Sequence, residues 1–167
     1  MSDTILITGA SSGIGRALAI EFSRRGFSLG LCARRLELLE ILKNEIGVNH
    51  TVEIAELDVS QYENVREVLL KLSEKLGGAQ IIIANAGVGE RSLPGGGTFN
   101  LDLKIIEIHL LGAIATIDAG AEILKKQGGG QIVGISSVAG FRGLSKVPAY
   151  SAQNLLFPHK LKASDII

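Results

Sequence analysis

A glycine-rich segment near the start of the chain has the composition of a phosphate-binding turn. It runs from Thr8 to Gly15 as Thr-Gly-Ala-Ser-Ser-Gly-Ile-Gly. Gly9 permits a tight turn, Gly13 lets the backbone approach phosphate without a Cβ in the way, and Gly15 allows a helix to pack closely on a strand. Because a helix N-terminus presents free N–H groups to an anion, the segment predicts the pyrophosphate site of a dinucleotide cofactor. The residues assigned to this site are Gly9, Ser11, Ser12, Gly13, Ile14 and Gly15.

Two arginines, Arg34 and Arg35, indicate which dinucleotide the site prefers. They follow the second predicted strand, where a site for NAD usually has an acid that binds the ribose 2′-hydroxyl, and no acid occurs before Glu37. Arginines suit a 2′-phosphate instead, and each charge-assisted contact contributes about 1.5–3 kcal/mol. Arg16, just after the glycine turn, adds positive charge. The alternative is that these arginines are solvated charges at a helix start, but the pattern favours NADP over NAD.

The glycine turn is informative only if a strand precedes it and a helix follows it, because glycine turns also end ordinary elements. Short apolar runs do alternate with amphipathic runs along the chain. The predicted strands are Thr4–Thr8, Ser28–Ala33, Val52–Leu57, Gln80–Ala84 and Gln131–Ser136. The predicted helices are Ile14–Arg25, Leu36–Ile46, Tyr62–Leu76 and a long helix with a preceding turn within Asp102–Gln127.

Strands that are apolar on both faces and alternate with helices predict an α/β fold with a parallel sheet covered on both sides. Right-handed crossovers then give a Rossmann-like, doubly wound sheet with the strand order 3-2-1-4-5. We assign residues 1–152 to one NADP-binding domain and residues 153–167 to a divergent tail. No clean period is visible after Ser151, and we expect Pro158 to interrupt any helix in the tail.

Composition excludes several classes of partner and site. The 167 residues carry 17 basic and 17 acidic side chains, so nothing favours nucleic acid or an anionic membrane. The apolar run Ile5–Ile7 is too short for a signal peptide or a membrane span, and no metal-ligand spacing is visible. Cys32 is the only cysteine, which fits a reducing cytoplasm, and we expect it to be a small buried strand residue.

From residue 4 to residue 152 the chain resembles the short-chain dehydrogenase/reductase family. The glycine turn has that family's Thr-Gly-x-x-x-Gly-x-Gly spacing. Asp58 and Val59, after the third strand, are similar to the family's adenine-contacting aspartate and the residue that follows it. Ala84-Asn85-Ala86-Gly87 is similar to its Asn-Asn-Ala-Gly motif, with Ala84 in place of the first asparagine. The resemblance therefore implies that Asp58, Val59, Asn85, Ala86 and Gly87 also contact the cofactor.

The segment Ile135–Gly140 resembles the family's catalytic-serine segment, and Tyr150 lies thirteen residues after Ser137, at the family's distance. The resemblance implies hydride transfer between the cofactor and a carbonyl or alcohol carbon of a small molecule. Tyr150 would be the general acid or base, and Ser137 would bind the substrate oxygen. In isolation, a serine after a strand is usually a cap and a lone tyrosine usually packs.

His109 occupies the place of the family's catalytic asparagine, in Glu-Ile-His-Leu-Leu-Gly. A histidine can hydrogen-bond to water, so a proton relay through His109 could persist. A tolerated substitution or simple packing is an equally good interpretation. The substrate itself is not identified by the sequence, although Leu144 and Val147 are candidates for the pocket wall. The family often pairs through its fourth and fifth helices, so a homo-oligomer is open.

Asn154 departs from the family, which has a lysine four residues after the tyrosine. In the family this lysine contacts the nicotinamide ribose and lowers the pKa of the tyrosine. Each lost unit of that shift costs about 1.4 kcal/mol, or about tenfold in reactive phenolate. We therefore expect impaired activity, and two alternatives to an enzyme stay open, namely a non-catalytic nucleotide-binding module and an unstable fragment.

The chain is also shorter than typical members of the family, so we expect the last strands of the sheet to be missing and the fifth strand to be an open edge. We hypothesise that the tail results from a frameshift, because deletion of one nucleotide from codons for Ser-Lys-Ser-Ala-Leu gives Gln-Asn-Leu-Leu. That is the run from Gln153 to Leu156. The gene sequence beyond the last codon tests this hypothesis.

Overall fold

The computed structural model describes residues 3–89, 95–142, 144 and 147–162, with only the backbone course for 156–162. Its centre is a five-stranded sheet with the order β3-β2-β1-β4-β5, in which every neighbouring pair is parallel. This confirms the predicted Rossmann-like topology. The strands are β1 (Thr4–Thr8), β2 (Ser28–Ala33), β3 (Val52–Glu56), β4 (Ile81–Ala84) and β5 (Gln131–Gly134).

Helices connect the strands and cover both faces of the sheet. They are α1 (Gly13–Arg24), α2 (Leu36–Ile46), α3 (Tyr62–Lys75), α4 (Phe99–Ile106), α5 (Gly112–Lys126) and α6 (Pro148–Lys162). A π-helical turn at Glu107–Leu111 joins α4 to α5, so the predicted long helix exists but begins at Phe99 and carries one wider turn. A 3₁₀ turn at Val138–Gly140 precedes α6.

The prediction that Pro158 interrupts the tail is wrong, since α6 runs from Pro148 through Pro158 to Lys162. A proline removes only one i→i−4 hydrogen bond and can bend a helix without ending it. Pro148 itself suits the first position of a helix, where its missing N–H has no intrahelical partner to lose.

The strand side chains divide the core into two layers. Ile5 and Ile7 of β1 lie on the side of α1 and α2, whereas Leu6 between them lies on the side of α3 and α5. All five residues of β1 and all six of β2 are buried, as a sheet covered on both faces requires. Because β1, β4 and β5 are parallel, their carboxyl ends lie at the same edge of the sheet, where ligands bind in folds of this kind.

Cys32 lies in β2 and is fully buried, as predicted. Burial raises the pKa of its thiol to about 12, so the reactive thiolate is absent near neutral pH. Among the described residues, no helix combines the length and apolarity needed to cross a bilayer. Within the same described part of the chain, no group of three or more His, Cys, Asp or Glu side chains is placed to hold a metal ion.

Truncation of Leu31 tests the core. Leu31 is 0% exposed in β2, and Leu31→Ala is expected to lower the free energy of unfolding by about 2–5 kcal/mol, because it removes buried apolar contacts and leaves a cavity. Ile41→Ala on α2 is the control, since Ile41 is 60% exposed and little should change. Urea denaturation measures both, and equal losses would contradict the described core.

Candidate active site

The glycine turn leads from β1 into the N-terminus of α1. Gly9 (φ +71°) and Gly13 (φ +57°) both have left-handed backbone conformations, which glycine adopts without strain. A Cβ on Gly9 would lie 2.6 Å from the Ala86 Cα, and one on Gly15 would lie 2.5 Å from the Gly9 carbonyl oxygen. A Cβ on Gly13 would meet no atom within 4 Å, so the backbone there faces open space. The turn therefore fits a pyrophosphate, which needs exposed N–H groups with no side chain above them.

Asn85, directly after β4, is hydrogen-bonded to the end of β1. Its Nδ2 donates to the carbonyl oxygens of Thr8 (3.0 Å) and Gly9 (3.2 Å), and its backbone N–H donates to the Thr8 Oγ1 (3.1 Å). The structure thus directs the Asn85 amide to the glycine turn, although the residue also lines the cavity described below. Thr8 was not among the predicted site residues, and its signal was a hydroxyl at the carboxyl end of the strand, directly before Gly9.

The arginine pair lies beside the glycine turn, and each arginine already has a partner. Arg35 Nη2 donates to the hydroxyl oxygens of Ser11 (3.1 Å) and Ser12 (2.8 Å). Arg34 Nη1 lies 3.9 Å from Asp58 Oδ2 and is half exposed. These residues and Val59 line a small cavity of about 70 Å³. Both guanidinium groups therefore lie at the carboxyl end of β2, beside the glycine turn.

Arg16, which follows the glycine turn in sequence, has a partner on α2. It forms an ion pair with Glu45 at the end of α2, and 29 residues separate the two in sequence. Such a pair is set by the packing of α1 on α2, which the local sequence does not reveal.

Asp58 accepts hydrogen bonds from the N–H (3.0 Å) and the Oγ (2.7 Å) of Ser60. These bonds fix the position of its carboxylate near Arg34.

His109 lies in the π-helical turn and contacts two parts of the site. Its Nε2 lies 2.8 Å from the Val88 N and 2.9 Å from the Val88 carbonyl oxygen. Its ring meets the ring of Tyr150 edge to face, with 5.3 Å between centroids. Burial lowers the pKa of His109 from its ordinary value of 6.5, although the Val88 backbone bond acts in the opposite direction. The imidazole is therefore neutral at pH 7, when its Nε2 can accept from the Val88 N–H.

The hydroxyl of Ser137 and the amide of Asn154 have well-defined partners. Ser137 precedes the 3₁₀ turn, and its Oγ accepts from the Ala139 N–H at 3.2 Å, so the capping interpretation holds alongside any catalytic one. Asn154 is buried, its Nδ2 donates to the Tyr150 carbonyl oxygen (2.8 Å), and its Oδ1 accepts from the Ser136 Oγ (3.2 Å). Both ends of the amide that stands at the family's lysine position therefore have partners within the protein.

A cavity of about 610 Å³ brings most of the predicted site residues together. Leu144 and Val147 lie in its wall, as do Val88 and Gln153, which the sequence analysis did not single out. Five other predicted residues line only the smaller cavity, namely Ser11, Arg34, Arg35, Asp58 and Val59. Gly15 lines neither cavity. The predicted residues that line the large cavity are Gly9, Ser12, Gly13, Ile14, Asn85, Ala86, Gly87, His109, Ser137 and Tyr150.

Residues 3–153 match the family model described as short chain dehydrogenase. An uncharacterised oxidoreductase of Myxococcus xanthus is 40% identical over 150 residues, which are 89% of this chain and 59% of that protein. An uncharacterised oxidoreductase of Mycobacterium tuberculosis is 39% identical over 148 residues, which are 87% of this chain and 58% of that protein. The chain thus spans less than two thirds of the length of either relative.

Among solved structures, an alcohol dehydrogenase from the archaeon Thermococcus sibiricus, complexed with 5-hydroxy-NADP, superposes on the chain with a TM-score of 0.92. Its sequence is 30% identical, and the match covers 99% of this chain and 71% of that one.

The buried position of His109 predicts a pH effect on stability. Because its folded pKa lies below the ordinary 6.5, the neutral form is favoured by folding, so this contribution is complete above pH 6.5 and is lost as the pH falls through the folded pKa. His109→Gln is expected to remove that part of the acid sensitivity. Urea titrations at several pH values measure the free energy of unfolding of both proteins. An identical pH dependence of this free energy would contradict the lowered pKa of His109.

Proposed function

Because the chain belongs to the short-chain dehydrogenase/reductase family of oxidoreductases, we propose that it binds NADP(H) and transfers hydride between this cofactor and a small carbonyl or alcohol compound. The observation that carries the proposal is the cavity of about 610 Å³, whose wall contains the glycine turn as well as Ser137 and Tyr150. A cofactor and a reacting oxygen held in one cavity can meet in a fixed geometry.

In this proposal the cofactor lies along the carboxyl edge of the sheet. Gly13 and the N-terminus of α1 bind the pyrophosphate, Arg34 and Arg35 bind the 2′-phosphate, and Asp58 with Val59 lies beside the adenine. Asn85, Ala86 and Gly87 line the nicotinamide side. NADP is favoured over NAD because two guanidinium groups lie at the end of β2, where an acid would accept bonds from a ribose hydroxyl.

A nicotinamide held in this cavity would supply or accept the hydride. In reduction the Tyr150 phenol donates its proton to the carbonyl oxygen, and in oxidation it takes the proton of the alcohol. Ser137 holds the same oxygen: its Oγ accepts from Ala139, and that bond does not use the Ser137 O–H, which can donate to the substrate. The proposed role of His109 is positional, since its Nε2 is bound at Val88 and its ring lies against Tyr150.

Two further parts of the proposal concern assembly and compartment. Phe99, Leu103 and Leu111 are exposed apolar residues of the helical run from α4 to α5, which supports self-association through this helix. The buried thiol of Cys32, the only cysteine of the chain, is consistent with a reducing compartment such as the cytoplasm.

One observation favours a second candidate function, a nucleotide-binding module without catalysis. Asn154 stands where the family's lysine would be, and its amide is bonded to Ser136 and to the backbone of Tyr150. A neutral amide with these partners provides no positive charge to stabilise a phenolate at Tyr150. The glycine turn and the arginine pair do not depend on that position, so cofactor binding would persist without turnover.

Removal of the arginines tests the cofactor preference. Arg34→Ala and Arg35→Ala are each expected to weaken NADPH binding by about tenfold or more, because a charge-assisted contact of about 1.5–3 kcal/mol is lost, and to leave NADH binding nearly unchanged. Arg24→Ala, in the last turn of α1, is the control. Cofactor fluorescence measures the dissociation constants, and tighter binding of NADH than NADPH by the unaltered chain would contradict the proposal.

Turnover separates the two candidate functions. The chain is expected to oxidise NADPH in the presence of at least one compound of a carbonyl panel, slowly because Asn154 replaces the lysine, and Tyr150→Phe should abolish this because the proton donor is lost. Absorbance of NADPH measures the rate, and a thermal shift with NADPH measures binding. Stabilisation by NADPH with no turnover would support the module, and no response to NADPH would contradict both.

A further inference from the structure

Gln153 is a buried amide whose donor has no partner among the described residues. The residue is 3% exposed, and its Nε2 makes no hydrogen bond in that part of the chain. Gln153 also lines the cavity of about 610 Å³ together with Ser137 and Tyr150. A buried donor without an acceptor destabilises a folded protein, so such a group in a cavity wall suggests a ligand that completes it.

Its position on α6 places Gln153 beside the reacting groups. Gln153 comes three residues after Tyr150, and side chains with this spacing lie on the same face of a helix. Asn154, the next residue, is also buried, but both ends of its amide have protein partners. Two neighbouring buried amides therefore differ in one respect: of the two donors, only the Gln153 Nε2, itself closed off from solvent in this conformation, lacks a protein partner in the described part of the chain.

We propose that Gln153 is a substrate-binding residue that donates a hydrogen bond to a second oxygen of the substrate. Gln153 would favour a small carbonyl or alcohol substrate that has an ether, ester or further carbonyl oxygen near the reacting oxygen. This inference rests on the proposed function, because it requires Tyr150 and Ser137 to hold the first oxygen. The last torsion of a glutamine side chain has a broad range, so the N–H can turn to the cavity wall when an acceptor arrives.

A matched pair of ketones tests the inference on the whole chain. Methoxyacetone and methyl propyl ketone have the same number of heavy atoms and differ by an ether oxygen in place of one methylene group. With NADPH present, methoxyacetone is expected to bind about two- to tenfold more tightly, the range that one net neutral hydrogen bond provides. It should also shift the side-chain amide resonances of Gln153 in ¹⁵N-labelled chain, which methyl propyl ketone should leave nearly unchanged.

Gln153→Met replaces the amide with an apolar side chain of similar length and should remove the preference, so that both ketones bind equally. Without ligand this variant should be as stable as the original chain or more so, because an unpaired donor is gone. Leu155→Ala, at an exposed position of α6, is the control and should keep the preference. If Gln153→Met does not fold, the resonance shift in the unaltered chain decides.

The outcomes distinguish this inference from the proposed function. If NADPH binds but the two ketones bind equally, or the preference survives in Gln153→Met, the inference is overturned and the proposed function stands. Failure of both ketones to bind also overturns the inference. If NADPH does not bind, the cofactor part of the proposed function fails, whatever the ketones do.

Discussion

The hydrogen bonds between Asn85 and the end of β1 determine the geometry of the site. They join the loop after β4 to the glycine turn through three bonds of 3.0–3.2 Å, two to carbonyl oxygens and one to the Thr8 hydroxyl. The same junction requires a glycine at position 9, because a Cβ there would lie 2.6 Å from the Ala86 Cα. The pyrophosphate end and the nicotinamide end of the proposed site are therefore held at one fixed separation.

The charges at the two ends of the site differ. Arg34 and Arg35 line the small cavity, whereas the described residues that line the large cavity include no lysine or arginine. Its polar side chains near Tyr150 are neutral, among them His109, Asn154 and Gln153. In the proposed function, electrostatic attraction acts on the phosphates at the arginine end, whereas the end near Tyr150 relies on hydrogen bonds and shape. If the proposed function is correct, this distribution predicts that loss of turnover would leave cofactor binding in place.

Apolar patterning was sufficient to predict the strands and the exact bounds of α2, and the preference for right-handed crossovers predicted the strand order. The bounds of β1 and β2 were also exact, because both strands are buried on both faces and are followed by glycine or arginine. The π-helical turn at Glu107–Leu111 could not be predicted, since its apolar residues also suit an α-helix. The partners of Arg16 and Asn154 are equally hidden, because Glu45 and Ser136 are distant in sequence and only packing brings them close.

The central claim is that the loops after β1, β4 and β5 form one binding site with Tyr150. A titration of ¹⁵N-labelled chain with NADPH, followed by backbone amide resonances, tests it most directly. The account predicts concerted shifts at Gly13, Ala86, Ser137 and Tyr150 with a single dissociation constant. Shifts confined to the glycine turn, or shifts at Tyr150 that follow a different dissociation constant, would contradict it.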